Sequence, residues 1–201
     1  MKYLLIVLLW TGYCSLHSYL ISIGFTNLMV RLLKKYYAFY RMFYVVISLV
    51  LLIPVINYAA QLDSEIIITD GLPLTIVRRV LMVGSLTMFF WAFFFNYDPL
   101  AFFGIRQILN FGRSKKSNPL NEIKRNGLLG IVRHPMYFAL IIYLWSQTYR
   151  VSDIVENTVL TIYIIIGTIL EERKLVLEFG DTYVNYQEEV PMLIPLPKTK
   201  K

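Results

Sequence analysis

The sequence predicts an all-α protein, a polytopic membrane helix bundle, and three observations carry that expectation. Of 201 residues, 57% are hydrophobic and the mean hydropathy is +0.56, well above the range of soluble domains. Several apolar runs approach the roughly 20 residues that cross a bilayer. The net charge of +7 sits between those runs rather than on one exposed face. That pattern indicates membrane orientation and argues against a nucleic-acid partner.

Five transmembrane helices are expected, at about residues 3–25, 42–60, 76–95, 135–149 and 154–170, in a single membrane domain of residues 1–201. The first follows one lysine and resembles a signal-peptide core. Cys14, Ser15, Leu16, His17 and Ser18 lead into more apolar chain without a small-residue cleavage site, so the span is read as retained. The lone Cys14 excludes an intramolecular disulfide and is expected to pack as a small hydrophobe.

In the second span, Pro54 removes a backbone donor and is expected to bend the helix. The aromatic residues Tyr36, Tyr37, Phe39, Tyr40, Phe43 and Tyr44 suit the headgroup level beside Arg31, Lys34, Lys35 and Arg41. Residues 61–73 read as a connector, with Asp63, Glu65 and Asp70 and with Gly71 and Pro73 as turn signals. After the third span comes a long basic stretch, 96–133, punctuated by Asp98-Pro99, Gly112, Asn118-Pro119 and Asn126-Gly127. An interfacial helix over 100–109 is expected within it, because structureless loops of that length are uncommon.

The last two spans form a short C-terminal helical hairpin. Asp153 and Glu156 read as a capping box that starts the returning helix at the bend. With the N-terminus outside and the segment 171–201 in the cytoplasm, all basic residues except Lys2, Arg78, Arg79 and Arg150 fall inside, including Arg113, Lys115, Lys116, Lys124, Lys198, Lys200 and Lys201.

Two polar clusters then meet at the cytoplasmic face, Arg133-His134-Pro135-Met136-Tyr137 and Glu171-Glu172-Arg173. His134 is placed at the helix N-cap and Pro135 at the first helical position, which Pro favours. A helix N-terminus flanked by Arg133 suits a carboxylate or phosphate, and Tyr137 shares a face with His134 and offers a ring to stack on. The paired glutamates suit a cation or hydroxyl donors. S-adenosyl-L-methionine, with a carboxylate, an ammonium, a ribose and a sulfonium, answers both ends. The competing reading is a solvated helix that simply continues out of the membrane. Downstream, Leu175, Phe179, Tyr183 and Tyr186 predict one apolar-aromatic stripe on a cytoplasmic amphipathic helix. Pro191, Pro195 and Pro197 then leave an extended tail.

These motifs, with Asn126-Gly127-Leu128 ahead of RHPMY and LEFGDTYVNYQEEVPMLIP after EER, resemble the integral-membrane methyltransferases of the isoprenylcysteine carboxyl methyltransferase type. Within that superfamily the resemblance is to the methanethiol S-methyltransferase and NnrU branches. It extends to His17-Ser18, Tyr40-Arg41 and Phe103 to Gln107. It implies a five-helix bundle with S-adenosyl-L-methionine held by Gly127, Leu128, Arg133, His134, Pro135, Tyr137, Glu171 and Glu172, and with Tyr183 and Tyr186 lining or covering the pocket. Where carboxyl methyltransferases carry an arginine ahead of the paired glutamates, this chain has Ile166-Gly167-Thr168. A small or lipophilic thiol is therefore the expected acceptor rather than a prenylcysteine carboxylate.

His17 lies inside a span, where polar residues face the bundle interior. Two roles stay open for it, a buried hydrogen-bonded one and a substrate-side one as general base toward a thiol. Arg106 is divided between anchoring at the headgroups and neutralising substrate charge, and Arg133 joins these two as a candidate catalytic residue. His17 and His134, far apart in sequence, are the only histidines, so no metal-ligand spacing is present. The rivals to a thiol methyltransferase are a non-catalytic, NnrU-like assembly or regulatory component, a prenylcysteine carboxyl methyltransferase, and a membrane reductase, which lacks a dinucleotide fingerprint here. A bacterial inner membrane suits the resemblance, with membrane lipid also among the candidate partners and acceptors.

Overall fold

A computed structural model of the chain describes residues 1–68, 71–111 and 125–196. Among these, the regular structure is helical: α1 (Lys2–Leu20), α2 (Ile23–Leu33), α3 (Tyr40–Gln61), α4 (Leu72–Phe95), α5 (Pro99–Phe102), α6 (Ile105–Leu109), α7 (Pro135–Ser146), α8 (Val151–Phe179) and α9 (Asp181–Glu189), with 3-10 turns at Lys34–Phe39 and Gly127–Gly130. Four stretches are long and apolar enough to cross a membrane: α1, the run Ile23–Gln61, α4 and α8. The chain is an integral membrane protein. The fifth expected span, α7, has 12 residues and reaches about 18 Å, less than the ~30 Å hydrocarbon core.

Several boundaries differ from expectation for local reasons. The first helix ends at Leu20 rather than continuing to residue 25, because Ser22 adopts an extended conformation and caps α2, accepting from the Phe25 amide at 3.3 Å. Pro73 lies in the first turn of α4 and begins a helix instead of marking a turn. The expected helix over 100–109 is broken into α5 and α6 at Gly104, which has φ +80°. Asp70, Gly112, Arg113, Lys115, Lys116, Asn118, Pro119, Lys124, Pro197, Lys198, Lys200 and Lys201 lie outside the described residues.

The bend before α8 also corrects a detail. Val151 is already helical, so Asp153 acts from inside the first turn, its carboxylate accepting from the Arg150 amide at 2.8 Å. This is the reach-back half of a capping box, with Asp153 in the acidic role assigned to Glu156. At the other end α8 passes Leu170 and runs to Phe179, since no breaker precedes Gly180. The stripe from Leu175 to Tyr186 is consequently not on one helix. Gly180, at φ +58°, ends α8, and α9 folds back so that Tyr183, Tyr186 and Val190 pack on Leu175, Val176 and Phe179.

The chain divides into two compact units. In the first, Met1–Ile67, Asp98–Ser117 and Arg150–Leu160, α1 packs on α3 around Ile6, Trp10 and Val55, joined by Val155 and Val159 at the start of α8. Cys14 is buried here. Residues 98–109 dock on the start of α3, where Arg41 Nε donates to the Phe102 carbonyl at 3.0 Å. In the second unit, Ile68–Tyr97, Asn118–Tyr149 and Thr161–Lys201, α4 lies along α7, and side-chain hydrogen bonds join α7 to the later part of α8. Arg78 of α4 is buried, donates to the Thr148 carbonyl and places its guanidinium 4.0 Å from the centre of the Tyr149 ring. Trp145 donates to Thr161 at 3.1 Å at one end of the α7–α8 pair, and Tyr137 meets Glu171 at the other.

Candidate functional site

The open end of the α7–α8 pair gathers most of the residues singled out in sequence. His134 is the N-cap of α7 with Pro135 following it, as the sequence predicts. The chain just ahead is held by the tail. The Arg133 and His134 amides donate to the carbonyls of Pro191 and Met192 at 2.9 and 3.1 Å, with Val190 and Leu193 buried. The expected extended tail thus forms one wall of the site and takes up the two amides just ahead of α7.

Arg133 and Glu172 form the centre. The guanidinium grips the carboxylate through Nε at 2.6 Å and Nη2 at 2.9 Å, while Nη1 donates to the carbonyls of Gln187, at 3.0 Å, and Val190. Both side chains are buried. Glu172 also meets His134 Nε2 at 3.1 Å and Gln187 Nε2 at 2.8 Å, with the Tyr183 hydroxyl at 3.4 Å. A buried ion pair gains only when its remaining donors and acceptors are met. Here α7, α8, α9 and the tail all supply those partners.

Glu171, one residue earlier, has different surroundings. It accepts from the Tyr137 hydroxyl at 2.9 Å and its side chain is 37% exposed. The imidazole of His134 stacks on Tyr137, with centroids 5.6 Å apart and planes at 10°. His134 is 3% exposed, and its Nδ1 has no hydrogen-bond partner among the described residues. The nearest acidic atom is Glu171 Oε2 at 4.0 Å.

Tyr183 and Tyr186 are both 3% exposed. Burial, reinforced for Tyr183 by Glu172, raises both phenols above their ordinary range, that of Tyr186 to about 12 against the opposing pull of Arg133 and Arg125. They are hydrogen-bond donors at neutral pH, and Tyr186 donates to the Leu129 carbonyl at 2.5 Å. This bond holds the 3-10 turn that carries Gly127 and Leu128 against α9.

Sequence reasoning did not single out three neighbours. Gln187 lies four residues after Tyr183, a helical spacing that places both on Glu172. Arg125 pairs with Glu189 at 2.9 Å, donates to the Thr182 carbonyl and covers the Tyr186 ring. Tyr97 follows α4, and burial, then Glu171, then Tyr186 raise its phenol. No local pattern marks Tyr97.

The other two candidate catalytic residues belong to the first unit. His17 is held between α1 and α3, with the Tyr44 hydroxyl 2.7 Å from Nε2 and Ser48 Oγ 3.2 Å from Nδ1. Arg106 pairs with Asp98 at 2.8 Å on the exposed side of α6. In the stretch 166–168 ahead of the paired glutamates, Thr168 is fully buried and its hydroxyl donates to the Ile164 carbonyl at 2.7 Å.

No protein-family model matches the chain, and no solved structure matches it. Curated proteins do. It is 38% identical over 104 residues to the methanethiol S-methyltransferase of Crocosphaera subtropica, covering 51% of this chain and 40% of that one. With the enzyme of Pseudomonas deceptionensis it shares 44% over 95 residues, 46% of this chain and 36% of the relative. A longer match, 28% over 156 residues, covers 77% of this chain and 59% of methanethiol S-methyltransferase 2 of Bradyrhizobium diazoefficiens. The first two matches thus span well under half the length of those relatives. The chain is similar to the methanethiol S-methyltransferases, the branch that its RHPMY and EER motifs resemble.

Proposed function

We propose that this protein is an integral-membrane, S-adenosyl-L-methionine-dependent methyltransferase whose acceptor is a small thiol. The observation that supports it most is the convergence of a saturated Arg133–Glu172 pair with a partly exposed Glu171 and a His134 Nδ1 without a partner among the described residues, at one end of α7 and α8. Relatives named for thiol methylation point the same way.

The residues fit such a cofactor. A buried ring nitrogen without a partner, a reachable carboxylate and a phenol are the groups that a ligand with amino, hydroxyl and aromatic parts would engage. S-adenosyl-L-methionine, when bound, supplies an electrophilic methyl group on a sulfonium. Glu171, Tyr137 and His134 hold and orient the cofactor, with Gly127 and Leu128 on the turn fixed by Tyr186. Arg133 and Glu172 act as positioning residues, keeping the His134 ring in place. Orientation of this kind is worth up to about 7 to 11 kcal/mol in favourable intramolecular reactions. The absence of an arginine at 166–168 favours an apolar sulfur acceptor over a carboxylate.

The proposed membrane topology has five crossings, with the short α7 as one of them, the N-terminus outside, and the site in the cytoplasm of a bacterial inner membrane. It rests on the positive-inside distribution. Reagent labelling of cysteines introduced one at a time at Glu65 and Lys174 of a Cys14→Ser protein checks it, since the two are expected to react from opposite sides.

The functional test is binding of S-adenosyl-L-methionine to detergent-purified protein, followed by transfer of labelled methyl to methanethiol. Saturable binding that Glu171→Ala abolishes, with transfer to the thiol, is expected. No saturable binding overturns the reading, and binding without transfer to any thiol turns it toward a non-catalytic role.

A further inference from the structure

α1 has 19 residues and α3 has 22, lengths of about 28 and 33 Å, so each crosses a bilayer without help from the chain between them. The Tyr40 hydroxyl at the start of α3 donates to the Leu20 carbonyl at the end of α1 at 2.6 Å. Residues 21–39 therefore leave this helix pair and return to it at one level, that of the membrane surface.

The excursion carries α2, with Arg31 in its last turn, and bends sharply at Lys34, φ +48°, into the 3-10 turn. Later in the chain, α6 comes to pack on that turn. Phe111 stacks on Tyr36, with centroids 6.0 Å apart and planes at 27°, and lies 5.2 Å from the Phe39 ring. The three rings make one shelf, yet Tyr36, Phe39 and Phe111 are 56%, 41% and 39% exposed. Beside them the Lys35 ammonium sits 5.1 Å from the centre of the Tyr36 ring.

Charge is unevenly divided between the two ends of this unit. Among the described residues, the end with the shelf has Arg31, Lys34, Lys35, Arg41 and Arg106 against Asp98, and Asp98 is already paired with Arg106 at 2.8 Å. The opposite end, where Tyr3 meets Ser64 and the Ser152 amide donates to Ser64, has Lys2 and Arg150 against Asp63, Glu65, Asp153 and Glu156. No acidic side chain described at the shelf is left to receive a choline or ethanolamine cation.

We propose that the shelf and the turn at Lys34 bind an anionic glycerophospholipid. Lys34 and Lys35 hold its phosphate through their ammonium N–H groups, while Tyr36, Phe39 and Phe111 pack on the glycerol and the upper acyl chains. Exposed rings beside a cation find partners for both at the headgroup level of a bilayer. An ammonium resting on a ring face keeps N–H donors for a phosphate. A soluble phosphate leaves the rings in water, and a zwitterionic lipid brings a cation to a surface that is already basic. None of these residues belongs to the site between α7 and α8.

Native mass spectrometry of delipidated protein in neutral detergent, titrated with dioleoyl phosphatidylglycerol or dioleoyl phosphatidylcholine, tests the assignment. The wild type is expected to bind the phosphatidylglycerol at least about tenfold more tightly. Lys34→Gln with Lys35→Gln is expected to lose about tenfold to thirtyfold of that affinity, since each basic residue at a membrane surface contributes about fivefold. Its phosphatidylcholine binding is expected to match the wild type. Removing two other exposed charges, Arg79→Gln with Lys174→Gln, is expected to change phosphatidylglycerol binding less than about twofold. Phe111→Ala is expected to weaken both lipids, and excess glycerol phosphate to leave the lipid bound. Equal affinity of the wild type for the two lipids overturns the proposal. So does an equal loss in the Arg79 and Lys174 variant, which shows a diffuse attraction of charge, or displacement by glycerol phosphate, which shows a site for a soluble anion. Lys34→Arg with Lys35→Arg keeps both charges and is expected to bind as the wild type does, and a loss there as large as with glutamine also overturns it.

Discussion

Arg133 and Glu172 are 39 positions apart in sequence and meet in a two-point contact at 2.6 and 2.9 Å with both side chains buried. Around them, Gln187, Tyr183, His134 and the Val190 carbonyl complete the hydrogen bonding. The pair ties α7 to α8 and to the segment after α9. Glu171, its neighbour in sequence, takes part in none of this.

Adjacent residues on a helix point about 100° apart, and the two glutamates are expected to fail differently. Glu172→Ala leaves the Arg133 charge buried without its counter-ion and should destabilise the protein by about 3–5 kcal/mol. Glu171→Ala, at a partly exposed site, should cost under about 1 kcal/mol and instead remove cofactor binding. Denaturation in detergent alongside a binding isotherm separates the two. Equal destabilisation would show that the division of roles is wrong.

Much of this fold was legible in the sequence because hydropathy and local caps wrote it. Apolar runs located α1, α3, α4 and α8, and His134-Pro135 marked the start of α7. Ser22 was missed because apolar residues on both sides hid its capping role. The end of α8 was missed because Glu171 to Phe179 contain no helix breaker and continue the helix beyond the membrane segment. Gly104 reads as an interior residue of the expected helix over 100–109 until Met42, 62 positions earlier, is seen packed against it. The candidate site was legible as two motifs, but the pairing within it was not. Which glutamate meets Arg133, and which nitrogen of His134 is left over, depends on rotation about α8 and on a tail that returns from residue 190.

Arg78 and Arg79 offer a contrast within α4. Arg78 is buried, bonded to the Thr148 carbonyl and set over Tyr149, whereas Arg79 is exposed. Arg78→Ala removes a donor and a cation–π contact and should cost about 2–4 kcal/mol. Arg79→Ala should stay within about 0.5 kcal/mol. Arg78→Lys should recover only part of the loss, since an ammonium lacks the planar face. Thermal unfolding of the three variants provides the ranking.

Two glycines with positive φ should respond differently to alanine. At Gly180 a Cβ meets nothing within 4 Å, so Gly180→Ala incurs only the backbone cost of its φ +58°, ψ −138° conformation, about 1–3 kcal/mol. At Gly104 a Cβ would lie 2.7 Å from the Met42 backbone nitrogen. Gly104→Ala should therefore displace residues 98–109 from the start of α3. Protease or hydrogen-exchange protection of that segment should fall in Gly104→Ala and remain intact in Gly180→Ala.

The raised phenols set an alkaline limit on stability. Tyr186 keeps its proton in the folded state up to about pH 12, whereas in the unfolded chain it ionises near pH 10. The unfolded state thus binds fewer protons between these values. Stability from this group is fully present below about pH 10 and is lost as pH rises through the folded value. Tyr186→Phe removes the titration and, with it, the bond to Leu129, so it should be less stable at pH 8 by about 1 kcal/mol. Between pH 10 and 12 its stability should fall less steeply than that of wild type. Unfolding midpoints measured across that range test the point, and parallel slopes for the two proteins would show that the Tyr186 hydroxyl is not the group responsible.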